Sequence, residues 1–472
     1  MEKVFKKYYN TICIRLVIDL KIVIVGAGKM GKAIIRHVCH ENHEVIVIDN
    51  SSYVIEDIIN KYDVMGICGN GVSYEVLKTA GVDKADIFIS VTELDEANML
   101  SCLIAKKLGA KHTIARVRDF EYTNQIELMT NALEITRTIN PELESAREIQ
   151  RIIDFPEASR VDSFAHGNGD ITEFYISDDS PLIGTSLMQI NSKLQVSILV
   201  CAVKRGNEVI IPNGKFTLQG KDRIFIISSQ QESKAFVSKL GLSKTRLKNI
   251  LIIGASKITL YLADALVKNK YAVKIIEVNP EKAEQMAEAI PNANVIIGDG
   301  SDQNVLREEG LSNFDAVICL TGKDEENIII SLYANKQEIG KIITKINKPS
   351  FAGLLESIQM ASVIVPQEIA AGKVVSYVRA SANTGGNNII SLHKIVDNQV
   401  EISEFIASPS SKVLNTPLKD LNLNKGILIG GIIRNQKIII PSGMTSIQER
   451  DSVIVVSKSS DTILNDLDDI LV

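Results

Sequence analysis

Lys21–Asp49 reads KIVIVGAGKMGKAIIRHVCHENHEVIVID. It opens on an apolar run, Ile22–Val25, of a length that suits a strand buried on both faces. Gly26, Gly28 and Gly31 follow in GxGxxG spacing. An amphipathic segment then puts Ile34, Ile35 and Val38 on one face, and a second apolar run, Val45–Ile48, stops at Asp49. Strand, glycine turn, helix, strand and acid in that order predict a dinucleotide-binding βαβ unit rather than a merely structural turn. Each residue type has a physical task. Gly26 permits the tight turn. Gly28, without a Cβ, lets the backbone approach a pyrophosphate, and Gly31 lets the helix lie close on the sheet. The N–H groups at the helix start, along Gly26, Ala27, Gly28, Lys29, Met30 and Gly31, attract the diphosphate. Asp49, at the tip of the second strand, accepts hydrogen bonds from a ribose.

Working outward, 472 residues suggest three or four domains at roughly 150 residues each. A formal net charge of −5 gives no general affinity for nucleic acid or anionic lipid. No uncharged apolar run reaches the ~18–20 residues of a membrane span. Cys13, Cys39, Cys68, Cys102, Cys201 and Cys319 are scattered without a CxxC, and read as reduced, mostly buried thiols of a cytoplasmic protein. Residues 1–20 make a poor signal peptide, because Asn10, Arg15 and Asp19 break the apolar part. They read as a disordered or loosely docked tail, or an over-extended start.

Downstream of Asp49 the pattern continues as a full doubly wound domain. Val64–Ile67 is expected as strand three, ending in Gly69-Asn70-Gly71, with a short helix at Ser73–Thr79 closed by Gly81. Asp86–Val91 is expected as strand four, ending at Thr92-Glu93, and Asp95–Leu108 as a helix whose first turn carries Asp95 and Glu96. His112–Val117 is expected as strand five, carrying Arg116, and Ile135–Ile139 as strand six, before a charged helix over Glu142–Ile152. In open parallel sheets ligands sit beyond the carboxyl ends of the strands. Asn70, Gly71, Thr92, Glu93 and Arg116 fall at those ends, beside the glycine turn and Asp49.

From about Val161 the texture changes to short alternating runs, Ile171–Ile176, Val196–Val203, Glu208–Ile211 and Arg223–Ile227. Turn signals such as Pro212-Asn213-Gly214 separate them. This predicts a small α+β module with a helix or two.

The chain then repeats itself. Gly254, in NILIIG, lies 228 residues after Gly26, and Glu277 lies 228 after Asp49. Gly298-Asp299-Gly300, Thr321 with Asp324, Glu325 and Asn327, and Lys345 lie 229 after Gly69-Asn70-Gly71, Thr92 with Asp95, Glu96 and Asn98, and Arg116. Ile440-Pro441-Ser442-Gly443 likewise echoes Ile211-Pro212-Asn213-Gly214. The predicted architecture is α/β, two doubly wound parallel-sheet domains alternating with two small α+β domains. Residues 380–387 read as a flexible link before the last module.

The second glycine turn is degraded: Gly254, Ala255, Ser256, Lys257, Ile258, Thr259. Ser256 puts a Cβ where the backbone approaches phosphate, and Thr259 a branched side chain where helix and strand touch. A Ser256 hydroxyl donating to phosphate and Glu277 holding a ribose would keep a site, and a fossil kept for packing would not. The residues leave both readings open. His37, His40 and His43 near Cys39 read as a solvated helix end rather than a metal site. His112, His166 and His393 lie in no recognisable catalytic context, so no acid/base set accompanies the nucleotide fold. An NAD-dependent oxidoreductase is the alternative reading.

GAGKMG followed by VIVID, then GNG, AGVDKAD–VTELDEAN and IARVR, resembles the KTN/RCK nucleotide-binding domain, and the small modules resemble the companion RCK C-terminal domain. The double tandem resembles the TrkA family, cytoplasmic NAD-binding regulatory subunits of Trk-type potassium uptake systems. The resemblance implies RCK-type domains at 21–140, 157–241, 248–367 and 386–470, after an extension at 1–20. It also implies NAD(H) at Gly26–Gly31 and Asp49, with Asn70, Gly71, Thr92, Glu93 and Arg116 contributing. ATP/ADP or a second NAD is implied at the second half, around Gly254–Ile258, Glu277, Asp299 and Thr321. The family often has Asp where the first copy has Asn70; the second copy has Asp299. The implied role is regulatory, not catalytic. The protein is expected as a homo-oligomer on the inner face of the cell membrane, gating a separate membrane-embedded potassium transporter subunit.

Overall fold

The computed structural model describes residues 20–39, 41, 43–156, 160–164, 169–206, 208–240, 247–351, 355, 362–382, 389–396, 399–458, 464 and 466–472. Residues 1–19 with Cys13, and His40 and His166, lie outside them. The described residues of 1–117, 124–138 and 381–386 form one compact body, and those of 118–123, 139–380 and 387–472 a second.

The first body is built on β1 (Lys21–Val25), β2 (Glu44–Asp49), β3 (Met65–Cys68), β4 (Ile87–Ser90), β5 (His112–Arg116) and β6 (Arg137–Ile139). They form a six-stranded parallel sheet in the order β3-β2-β1-β4-β5-β6. This is the doubly wound order whose topological switch falls between β1 and β4. Ile22–Ile24 are wholly buried, as are Ile87–Ile89, because helices cover both faces of the sheet. Helix Lys29–Val38 buries Met30, Ala33, Ile34, Ile35 and Val38. Helix Asp95–Leu108 runs over the expected residues, and Gly109 ends it with φ +127°. Strand three starts one residue later than expected. Helix Ser52–Lys61, capped by the Ser51 hydroxyl accepting from the Val54 N–H, went unread in the sequence because only Ile55 and Ile58 of its apolar residues are buried.

The second body carries three sheets. β7 (Arg160–Phe164), β8 (Gly169–Tyr175), β9 (Leu199–Arg205), β10 (Glu208–Ile210) and β11 (Arg223–Ser228) form a five-stranded sheet in the order β10-β9-β11-β8-β7. The pairs β10–β9, β9–β11, β11–β8 and β8–β7 are antiparallel. β12 (Asn249–Ile253), β13 (Ala272–Glu277), β14 (Asn294–Ile297), β15 (Ala316–Cys319), β16 (Lys341–Lys345) and β17 (Ser362–Ile364) repeat the six-stranded parallel order. β18 (Ile389–Ile395), β19 (Val400–Ile406), β20 (Leu428–Arg434), β21 (Lys437–Ile439) and β22 (Ser452–Lys458) repeat the small sheet.

Residues 380–382, expected in a flexible link, end helix Pro366–Ala382, whose Val374, Val375 and Val378 are buried; 383–387 lie outside the described residues. The helix continues because Ala380, Ser381 and Ala382 are compatible with helical backbone, so the composition marked a linker too early. His43 also departs from the solvated reading. Its side chain is 5% exposed and faces Glu41 at 3.6 Å, while His37 is half-buried. Of the cysteines, Cys102, Cys201 and Cys319 are buried, Cys39 is half-buried and Cys68 exposed. Burial pushes the Cys201 and Cys319 thiols up to about 12.

Candidate functional site

Gly26 takes φ +93°, and a Cβ there would lie 2.9 Å from the Thr92 backbone nitrogen, so the turn requires glycine. At Gly31 a Cβ would fall 2.0 Å from the Gly26 carbonyl oxygen. At Gly28 a Cβ would meet nothing within 4 Å. The backbone there faces open space, and Gly28 and Lys29 are exposed while Met30 is buried. No side chain caps the start of helix Lys29–Val38, so its first N–H groups and positive dipole end stay available to an anion.

Asp49 closes the other side. One carboxylate oxygen accepts from the Ala27 N–H at 2.8 Å and the other from the Ser51 N–H at 3.0 Å. A carboxylate has about four lone-pair sites, so capacity for ribose hydroxyls remains. Pyrophosphate space at Gly28, an uncapped helix start and an acid at the neighbouring strand tip fit a dinucleotide.

The rim is set by a residue that the sequence reading paired with its repeat without assigning it a role. Asn98 is wholly buried. Its side-chain oxygen accepts from the Thr92 N–H at 2.8 Å and the Thr92 hydroxyl at 2.7 Å. Its amide donates to the Thr92 carbonyl at 3.2 Å and the Arg116 carbonyl at 3.0 Å. Arg116 in turn donates from Nη1 to the Thr92 carbonyl at 3.2 Å. Asn98 therefore ties the ends of β4 and β5 together. Glu93 and Asn70 are exposed, and the Asn70 side chain accepts from the Val72 N–H at 3.1 Å. Gly71 approaches β1 so closely that a Cβ would lie 2.1 Å from a Val25 methyl. The structure thus brings the glycine turn, Asp49, Gly71, Thr92 and Arg116 to the carboxyl edge of one sheet.

The second copy keeps this frame. Gly254 has φ +101°, and Glu277, 8% exposed, accepts from the Ala255 N–H at 2.6 Å and the Asn279 N–H at 2.8 Å. Asn327 repeats the Asn98 links, to Thr321 and to the Lys345 carbonyl at 3.0 Å. Asp299 is exposed, and hydrogen bonds from the Ser301 hydroxyl and N–H hold its carboxyl below the usual carboxylate range. The turn itself differs. Ser256 caps helix Lys257–Lys268, its hydroxyl oxygen accepting from the Thr259 N–H at 3.3 Å. The Ser256 N–H donates to the Thr259 hydroxyl oxygen at 3.2 Å, and that hydroxyl donates to the Gly254 carbonyl at 2.6 Å. Lys257 is exposed and Ile258 buried. Thr259, wholly buried, is accommodated by this bond at the place where Gly31 admits no Cβ.

Comparison with known proteins agrees with this organisation. The TrkA-N domain model matches residues 22–141 and 250–366, and the TrkA-C domain model matches 171–241 and 402–469. The chain is 31% identical over 449 residues to the Trk system potassium uptake protein TrkA homolog 1 of Methanosarcina mazei, covering 93% of this chain and 98% of that one. It is 28% identical over 440 residues to Trk system potassium uptake protein TrkA of Vibrio alginolyticus, covering 92% and 95%. Among solved structures, the GsuK channel bound to NAD is similar in fold, with a TM-score of 0.61 at 17% identity over 97% of this chain and 81% of that one. Among the described residues no helix is long and apolar enough to cross a membrane. With two TrkA-N and two TrkA-C domains in alternation, the chain belongs to the TrkA family of potassium uptake regulatory proteins, a non-enzymatic family, which sets aside the oxidoreductase alternative.

Proposed function

We propose that this chain binds NAD(H) at Gly26–Gly31 and Asp49 and, in response, gates a separate membrane-embedded potassium transporter subunit. The observation that carries the nucleotide part is the uncapped start of helix Lys29–Val38 beside Asp49, with open space over Gly28. Asn70, Gly71, Thr92, Glu93 and Arg116 form the rim. The similarity to potassium uptake proteins of Methanosarcina mazei and Vibrio alginolyticus supports the potassium uptake role, and the NAD of the GsuK channel structure supports the ligand class. Asp49 favours NAD(H) over 2′-phosphorylated forms, since a carboxylate accepts from a 2′-hydroxyl and repels a phosphate.

The nucleotide acts as a ligand and not as a reactant. It shifts the protein between two arrangements only by binding one more tightly; a swing from 1:99 to 99:1 needs about 10⁴-fold preference. The chain works as a homo-oligomer, peripheral on the cytoplasmic face of the membrane, where its transporter partner holds it. The test is deletion of the coding sequence in a host that relies on this uptake system, with potassium accumulation measured at low external potassium. The native chain restores uptake, and a variant with Gly26, Gly28 and Gly31 replaced does not. Normal uptake without the protein, or full rescue by a variant shown to bind no nucleotide, refutes the proposal. Calorimetry with ATP and ADP beside NADH decides which nucleotide the first site prefers.

A further inference from the structure

We infer that the second nucleotide domain is locked by its own side chains and takes no dinucleotide diphosphate, so that each chain carries one nucleotide on two nucleotide-type domains. Ser256 and Thr259 are the residues that decide this. The inference rests on the nucleotide reading of the first turn.

Proton accounting at the turn leads there. A hydroxyl carries one proton. The Thr259 proton goes to the Gly254 carbonyl at 2.6 Å. The Ser256 and Thr259 hydroxyl oxygens are 3.0 Å apart, so with the Thr259 proton used in this way the Ser256 hydroxyl is the one placed to donate between them. The Thr259 N–H is held by Ser256, the Ser256 N–H by Thr259, and the Ala255 N–H by Glu277. Three N–H groups and the Thr259 hydroxyl around this turn are therefore satisfied from within, and the Ser256 hydroxyl has an acceptor in reach. In the first turn only the Ala27 N–H has such a partner, Asp49, and no side chain caps the helix. The Ser256 side chain also occupies the place that glycine leaves open at Gly28.

The lock sits at the start of a helix that packs against helix Pro141–Asp154. Ile258, Tyr261, Leu262 and Leu266 of helix Lys257–Lys268 pack in one core with Ala146, Ile149, Ile152 and Ile153 of helix Pro141–Asp154. The Tyr261 hydroxyl accepts from the Asn140 amide at 3.0 Å, and the Tyr271 hydroxyl donates to Asp154 at 2.9 Å. A helix start fixed by Ser256 and Thr259 gives this dock a geometry that no ligand has to complete.

The experiment is titration calorimetry of the full-length chain with NADH. The native chain is expected to bind one equivalent. The double variant Ser256→Gly, Thr259→Gly, which recreates GxGxxG, is expected to bind two, and Ser256→Gly alone, which keeps the Thr259 bond to Gly254, guards against a fold defect checked by circular dichroism. Two equivalents on the native chain overturn the lock and leave the sensor reading standing. One equivalent on both the native chain and both folded variants overturns the assignment to Ser256 and Thr259. No binding to the native chain with binding to the double variant supports the lock and refutes the sensor; no binding to any of them refutes both.

Discussion

Gly26 and Gly254 hold the same left-handed conformation against the same neighbouring strand end, and Asp49 and Glu277 grip the next residue's N–H in the same way. Asn98 and Asn327 tie the same strand ends together. Yet one helix start is bare and the other is capped twice over. The frame of a nucleotide site and its capacity to take a diphosphate are separable. The frame is held by glycine conformation, a strand-tip acid and a buried asparagine. The capacity depends on N–H groups that the chain must not satisfy itself.

Four sets of substitutions test whether the two turns differ in this way. Gly26→Ala and Gly254→Ala should each cost about 3 kcal/mol of stability, from the left-handed strain and the backbone approach at 2.9 Å. Chemical denaturation checks this; a cost confined to one copy would show that the frames are not equivalent. Asp49→Ala should weaken NADH binding by roughly 1.5–3 kcal/mol, the worth of hydrogen bonds to a charged group, while Glu277→Ala leaves NADH affinity unchanged. Calorimetry separates the two, and tighter binding of NADPH than NADH by the native chain would remove the role given to Asp49. Gly28→Ser should lower NADH affinity by at least about tenfold, or about 1.4 kcal/mol. It should leave the melting temperature unchanged, because no atom beyond the adjoining residues lies within 4 Å of the new Cβ. Equal loss of stability and affinity would place the defect in the fold. Thr259→Val keeps the branched shape and removes the hydroxyl, and should cost about 1 kcal/mol through the lost bond to Gly254; a neutral effect in denaturation would show that packing alone holds the turn.

Much of the fold was legible because it is carried by local patterns with strong physical causes. IVIV and VIVI are short apolar runs that suit a sheet covered on both faces, and Gly26 and Gly31 stand where a positive φ or a close approach demands them. The repeat at 228 and 229 residues doubled the other landmarks, though not Gly28 and Gly31. Elements with thin apolar faces were not legible. Helix Ser52–Lys61 has two buried residues, and its second-copy counterpart, Pro280–Ala289, buries Ala283 and Met286. At the site, the sequence named the donors and the acid but not their state. Whether the Ser256 hydroxyl meets a phosphate or Thr259 depends on a 3.0 Å approach that spacing alone does not reveal.

The order of domains, the parallel sheets, the glycine turn and the strand-tip acids can be read along the chain, because each follows from what neighbouring residues permit. Which surfaces meet is settled by packing between distant segments. Ile171, Phe225 and Ile227 of the first small sheet share a core with Ile402, Ile454 and Val456 of the second. A Cβ at Gly430 would lie 2.6 Å from the Ile227 Cδ1. Helix Pro141–Asp154, which follows the first nucleotide domain in the chain, packs on the second. Apolar burial is non-directional, so a pattern shows that a face must be covered without naming its partner. Partners are settled by the close packing of side chains far apart in the chain, which no local window of residues contains.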